Sequence, residues 1–228
     1  MKILGIDTSG KINSAALCEN GMLLHEISLP PQAKPSQGLL AAIDELLILT
    51  GCHLSQLDGM ALAVGPGSFT GLRVGVSTVK GLAWVHNKPV SGINTLDALA
   101  FRVSAPGIIC PLLDAKQGEV YTALYRRIGE QIVKLSEYLL IAPQKLPEMI
   151  KEPVSFLGDG LAVYQQYLQK EFKQQADFKA SAYYTPTAAV IAQMGYQRFK
   201  QGLGVSPYEL TPYYLRRPAA EVNSESGS

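Results

Sequence analysis

Apolar and polar positions along the chain follow two rhythms, and each change of rhythm marks an element. The opening run Lys2–Asp7 (KILGID) is short, apolar and rich in β-formers, which predicts a buried strand. Ser14–Cys18 and Met22–Ile27 flank Glu19-Asn20-Gly21, and an Asn-Gly pair accepts the positive φ angles of a tight turn. The chain is therefore expected to open with three strands, the last two paired antiparallel. Pro30, Pro31 and Pro35 punctuate a loop. From Ser36, a suitable amino-terminal cap, to about Thr50 the rhythm is helical: Leu39, Ile43, Leu46 and Leu47 share one stripe, and Gly51 stops the helix. Met60–Val64 is a continuous apolar run of the kind found in central strands, and Pro89–Ile93 is a shorter strand. The helix between them makes a strand–helix–strand unit, which implies a parallel pair with a right-handed crossover.

Ser104–Gly107 reads as a boundary. Beyond it lie three more expected strands, Ile108–Leu113, Glu119–Tyr125 and Gln131–Leu140, with a turn at Arg127–Glu130. A helix near Gln144–Lys151, a strand Val154–Leu157 and a helix near Ala162–Phe172 follow. Strands in series and then alternating helices and strands thus occur twice, which reads as a duplicated α/β unit. A last helix, about Pro186–Gln201, precedes a tail, and polar Glu221–Ser228 is expected to be disordered. The division expected is an amino-terminal lobe of 1–105, a carboxy-terminal lobe of 106–205 and a tail of 206–228.

Composition narrows the classes. At 47% hydrophobic residues the chain has material for a proper core, and its 17% charged residues fall below the roughly 25% usual for soluble domains. A net charge of +1 recruits no nucleic acid by itself. Cys18, Cys52 and Cys110 have no CxxC spacing, which argues against zinc and disulfides and for a reducing compartment. No signal peptide and no membrane-length apolar run is readable, so the expected location is cytoplasmic.

The densest stretch is Ala63–Trp84, AVGPGSFTGLRVGVSTVKGLAW. Gly65-Pro66-Gly67 ends a strand sharply, and Ser68 or Thr70 can cap the helix that follows. Free N–H groups at such a helix start attract anions, but neither GxxxxGK[ST] nor GxGxxG is present. On a helical wheel Leu72, Val76, Val79 and Ala83 form a core face, and Arg73, Ser77, Lys80 and Trp84 a more polar one. Gly71, Gly75, Thr78 and Leu82 form a third. Each helical glycine costs about 1 kcal/mol relative to alanine, so a stripe of small residues implies that another backbone comes close. That neighbour is either a strand of the same domain or a helix of another subunit.

In series, several segments resemble one family. GPGSFTGLRVG (Gly65–Gly75) resembles the signature of the bacterial TsaB family, once called YeaZ, of tRNA threonylcarbamoyladenosine biosynthesis proteins. ILGIDTS (Ile3–Ser9), LLDAKQGEVYTALY (Leu112–Tyr125), GDGLAVY (Gly158–Tyr164) and PYYLR (Pro212–Arg216) fit in order along nearly the whole chain. Lys116-Gln117 departs from the family's arginines, and the first helix lacks the histidine that many relatives carry near Ser36. The resemblance implies an α/β fold of two duplicated actin-like ATPase lobes, each a mixed β-sheet with flanking helices. It implies a non-catalytic subunit that pairs with a TsaD-like paralogue, the transferase that places a threonylcarbamoyl group on the adenosine beside the anticodon. A TsaE-like ATPase completes the complex, tRNA is contacted only indirectly, and the chain alone forms a homodimer. No cofactor of its own is implied, with ATP or ADP expected only at the partner interface.

The residues expected at that interface are Leu39, Leu40 and Ile43 of the first helix and Phe69, Gly71, Arg73, Gly75, Thr78 and Leu82 of the glycine helix. Gly75→Arg is accordingly expected to abolish pairing and leave a folded monomer. The alternative function is a stand-alone actin-like ATPase or kinase. It would use Asp7, Thr8 and Ser9, where actin-like kinases place a turn that holds Mg²⁺ and phosphate. The same residues also suit a strand-end Asx turn. His25, His53 and His86 are singly placed, without the i, i+4 spacing of a metal-binding helix. Tyr213, Tyr214, Arg216 and Arg217 in the tail favour protein contact over direct RNA binding at this net charge.

Overall fold

The computed structural model describes residues 1–30, 35–178 and 187–216, without the side chains of 35–37. The expected Ser36 cap, Pro186, Arg217 and the 221–228 tail end lie outside the described residues or side chains. Two compact units divide the chain, one of Met1–Arg102 with Thr185–Pro212 and one of Val103–Tyr184 with Tyr213–Ser228.

The first unit is a five-stranded sheet of order β3-β2-β1-β4-β5, built from β1 (Lys2–Asp7), β2 (Ser14–Glu19), β3 (Met22–Ser28), β4 (Gly59–Gly65) and β5 (Val90–Asn94). β1–β2 and β2–β3 are antiparallel, while β1–β4 and β4–β5 are parallel. β1 and β4 read as unbroken apolar runs because both faces of the sheet are covered. Leu4, Ile6, Met60 and Leu62 point to one core, shared with Leu39, Ile43 and Leu46 of α1 (Pro35–Thr50) and Val76 and Val79 of α2 (Phe69–Val85). Their alternates Ile3, Ala61 and Ala63 point to the other, shared with α3 (Thr95–Phe101) and the last helix. The short α3, capped by the Asn94 side chain on the Leu96 N–H, was not expected from periodicity.

The second unit repeats the order. β6 (Gly107–Lys116), β7 (Glu119–Thr122), β8 (Tyr125–Ile128), β9 (Gln131–Lys134), β10 (Leu139–Ile141), β11 (Val154–Leu157) and β12 (Ala176–Asp177) form a sheet with the path β10-β7-β6-β11-β12. β6 pairs antiparallel with β7 and parallel with β11, as β1 does with β2 and β4. The hairpin β8–β9 is additional. The two long strands expected at 119–125 and 131–140 are each broken, because the chain turns a corner there. Leu135 N–H donates to the Leu124 carbonyl (2.7 Å) and Leu124 N–H to Ser136 Oγ (2.9 Å). Helix α4 is short (Leu146–Met149), and α5 (Leu161–Phe172) closes the core around Phe156.

The last helix, α6 (Ala188–Lys200), packs on the first sheet, not the second, so a carboxy-terminal lobe of 106–205 is corrected. Its first free N–H groups explain the placement: Ala188 N–H donates to Ser14 Oγ (2.9 Å) and Ala189 N–H to Glu26 Oε1 (3.1 Å). A side chain at Gly5 would collide with Ala188 and Ala192, so small residues set the helix-to-sheet distance. Among the described residues no helix is long and apolar enough to cross a membrane.

Candidate partner surface and the closed turn

The glycine helix α2 begins where β4 ends. Ser68 caps it, its Oγ accepting the Gly71 N–H (3.2 Å). Ser68 N–H in turn donates to the Ser9 carbonyl (2.7 Å), so the turn after β1 sits directly against the helix start. A Cβ on Gly71 would overlap the Thr8 carbonyl, and one on Gly75 the Thr8 hydroxyl and Leu62. The glycine stripe thus serves a close approach within the unit, the first of the two neighbours the wheel left open. Gly75→Arg would break this packing, so loss of the fold is the expected outcome in place of a folded monomer.

Asp7 is fully buried at the end of β1. Its Oδ1 accepts the Ser9 N–H (2.9 Å) and the Ser9 hydroxyl (2.6 Å), the Asx-turn geometry. Its Oδ2 has no hydrogen-bond partner among the described residues, nor has Thr8 Oγ1. Burial pushes the Asp7 carboxyl up to about 6, against the Ser9 hydrogen bonds that lower it. The Ser9 carbonyl takes the N–H of the cap residue Ser68, one of the donors at the helix start that an anion would use, and an ionised Asp7 would repel a bare anion.

The expected interface residues separate into two groups. Leu39, Ile43, Gly71 and Gly75 are buried in the first unit's own packing, which corrects their assignment to an outer face. Phe69, Thr78 and Leu82 are half-buried, while Leu40 and Arg73 are exposed. Arg73 lies over the Phe69 ring, 3.8 Å from its centroid. α1 and α2 touch each other on one face of the sheet and present Trp84 (65% exposed), which the wheel places on the more polar face of α2, together with apolar residues absent from the expected interface: Ile48 (72%), Leu49 and Val85. A readable signal existed, since Ile48 lies about 180° from Leu39 on the wheel, opposite the core stripe. The strips differ in charge: α1 exposes Asp44 and Glu45, and α2 carries Arg73 and Lys80 and no acidic residue. Gly81 has open space at its Cβ position. It floors a shallow groove of about 350 Å³ lined by Lys80, Trp84, Pro207 and Tyr208, with Lys80 Nζ donating to the Tyr208 carbonyl (3.3 Å).

Comparison with known proteins identifies the family. A family model described as TsaD, tRNA N6-adenosine threonylcarbamoyltransferase, matches residues 29–224. The tRNA threonylcarbamoyladenosine biosynthesis protein TsaB of Bacillus subtilis (strain 168) is 30% identical over 97% of each chain. Its namesake in Escherichia coli (strain K12) is 29% identical over 96% of each. Among solved structures, YeaZ from Pseudomonas aeruginosa superposes with a TM-score of 0.77 at 25% identity, covering 94% of this chain and 99% of that one. The expected fold stands: two actin-like units, each a mixed sheet with flanking helices.

Proposed function

This chain belongs to the TsaB (YeaZ) family, and from that premise we propose that it serves threonylcarbamoyladenosine biosynthesis on tRNA as a subunit without transfer chemistry of its own. In this reading it pairs in the cytoplasm with a TsaD-like paralogue, the transferase, and works with a TsaE-like ATPase. Alone it self-associates. tRNA reaches it only through the partner, and any ATP or ADP sits at the partner interface.

The observation that carries the reading is the α1/α2 surface: exposed Ile48, Leu49, Trp84 and Val85 with acidic residues on one helix and basic residues on the other. Large apolar side chains exposed on two touching helices suit an interaction site. Opposite charges on adjacent strips let α1 of one molecule meet α2 of a second copy, or of a paralogue with the same layout. The absence of chemistry is supported by the closed turn at Ser9 and by the three histidines. These lie on β3, beside a short 3₁₀ turn and at the end of α2, too scattered to ligate one metal.

The test is threonylcarbamoyl transfer to tRNA by purified TsaD and TsaE supplied with the adenylate, with and without this chain. Activity is expected only with the chain, to persist in Asp7→Asn, and to be lost in Trp84→Arg, which leaves the core untouched. Transfer that proceeds equally without the chain overturns the reading. ATP hydrolysis by the isolated chain that Asp7→Asn abolishes would favour the stand-alone ATPase.

A further inference from the structure

The turn that joins β6 to β7 is held in an uncommon conformation. Lys116, Gln117 and Gly118 all have positive φ angles (62°, 55° and 80°), and two of the three carry side chains. Non-glycine residues enter this region only when their surroundings over-determine it. Here the surroundings come from three directions. Within the turn, Asp114 accepts the Lys116 N–H through Oδ1 (2.9 Å) and the Lys116 ammonium through Oδ2 (2.5 Å). From the start of α5, Asp159 Oδ1 accepts the Asp114 N–H (3.0 Å).

The third direction is the end of the described chain. Arg216 Nη1 donates to the Ala115 carbonyl (2.6 Å) and Nη2 to Glu119 Oε2 (2.5 Å). One planar guanidinium therefore spans both ends of the turn, a geometry that a lysine ammonium does not reproduce. Upstream on the same segment, Tyr213 packs edge-on against Tyr138 (centroids 5.5 Å apart), and Lys134 covers the Tyr138 ring. The segment is thus fastened at two points, with the turn at its distal one.

We propose that Tyr213–Arg216 is a latch that sets the conformation of the Ala115–Glu119 turn. Closed, it presents the exposed Lys116 and Gln117 in one fixed left-handed arrangement; open, it leaves the turn to the Asp114 and Asp159 contacts alone. Arg216 is then a positioning residue, acting on Lys116 and Gln117 through the Ala115 carbonyl and Glu119. The device does not depend on the pairing proposed above, so failure of one leaves the other standing.

Hydrogen exchange on the full chain tests it. In Arg216→Ala, amides of 115–119 are expected to exchange about tenfold faster or more, while those of β11 and of the first unit keep wild-type rates. Arg216→Lys is expected to fall between the two, since one ammonium cannot hold both acceptors. Glu119→Gln keeps the Ala115 contact and is expected to give a smaller rise, and it serves should Arg216→Ala not fold. Wild-type exchange of the turn in Arg216→Lys and Glu119→Gln, or a uniform rise across the unit in Arg216→Ala, overturns the latch.

Discussion

In the first unit, α2 begins with the Ser68 N–H on the carbonyl of Ser9; in the second, α5 begins with the Gly160 N–H on the carbonyl of Leu112. Both helices follow a glycine turn after the fourth strand of their path, and both place their amino ends against the unit's first strand or the turn after it. Helix amino ends of this kind attract anions, and here one N–H of each is taken by the chain's own carbonyl. The difference lies in where the contact falls. Ser9 stands beyond Asp7, so closure seals the carboxylate inside, whereas Leu112 stands before Asp114, which is left at the rim to pair with Lys116. One strand order with a shift of a few residues thus gives a buried carboxyl in one unit and a surface ion pair in the other. A buried carboxyl destabilises the fold when ionised; a rim pair does not.

The severest break of the comparison is Gly75→Arg. Its side chain would have to displace Thr8 and Leu62, opening the contact between turn and helix that seals Asp7. A loss of about 4–5 kcal/mol or more is expected, enough to abolish soluble folded protein. Trp84→Arg on the exposed side of the same helix is expected to unfold in urea like the wild type when both are measured at a protein concentration too low for self-association. Comparing soluble yield and urea midpoints decides it, and a folded, merely unpaired Gly75→Arg would return the glycine stripe to the outer surface.

The second test acts on the carboxyl itself. The Asp7 pKa is raised from 3.8 to about 6 in the folded state, so the folded protein holds the proton more tightly than the unfolded one. The stability that this proton contributes is complete below about pH 4 and is lost as pH rises through 6, a total of about 3 kcal/mol. Asp7→Asn keeps an acceptor for Ser9 and has no charge to bury. It is expected to be more stable than the wild type above pH 6, by at most about 3 kcal/mol, and to lose that advantage near pH 4. Asp114→Asn, which removes the charge pairing with Lys116 and keeps an acceptor for the Lys116 N–H, is expected to change stability in the opposite direction and slightly. Urea unfolding from pH 4 to 8 measures both, and a wild-type slope in Asp7→Asn would show that the carboxyl is not sealed.

Much of this was legible in the residues. β1, β2, β4 and β11 announce themselves as apolar runs because neighbours cover both their faces, and the α2 core stripe is buried as the wheel places it. The duplication was visible as a repeated rhythm. Periodicity does not say which sheet an amphipathic helix covers, so α6 was assigned to the wrong unit: the decisive contacts, Ser14 and Glu26 on its amino end, are more than 160 residues away. The corner at Leu124–Leu135 is invisible for the same reason, as alternation continues through it. The glycine stripe announced that a backbone comes close, but a sequence does not say whose. Leu40 on α1 and the side of α2 with Arg73 and Trp84 lie on faces that remain outside, as the sequence places them.

The smallest effect compares two glycines of one helix. A methyl group at Gly81 enters open space, whereas one at Gly71 overlaps the Thr8 carbonyl. Gly81→Ala therefore gains only the helical preference of alanine, and about 1 kcal/mol of stabilisation is expected. Gly71→Ala gains the same preference and loses it several-fold to the clash, because a backbone carbonyl fixed by β1 has little room to yield. The difference in urea midpoint between the two variants measures how tightly the turn is closed, independently of any charge. If both substitutions stabilise, the turn and helix are loosely opposed in solution, and a sealed Asp7 would lose its support along with them. If they diverge in sign, the glycines of α2 are of two kinds: Gly71 closes the unit on itself, and Gly81 keeps its outer face low enough for the groove between Trp84 and Tyr208 to exist.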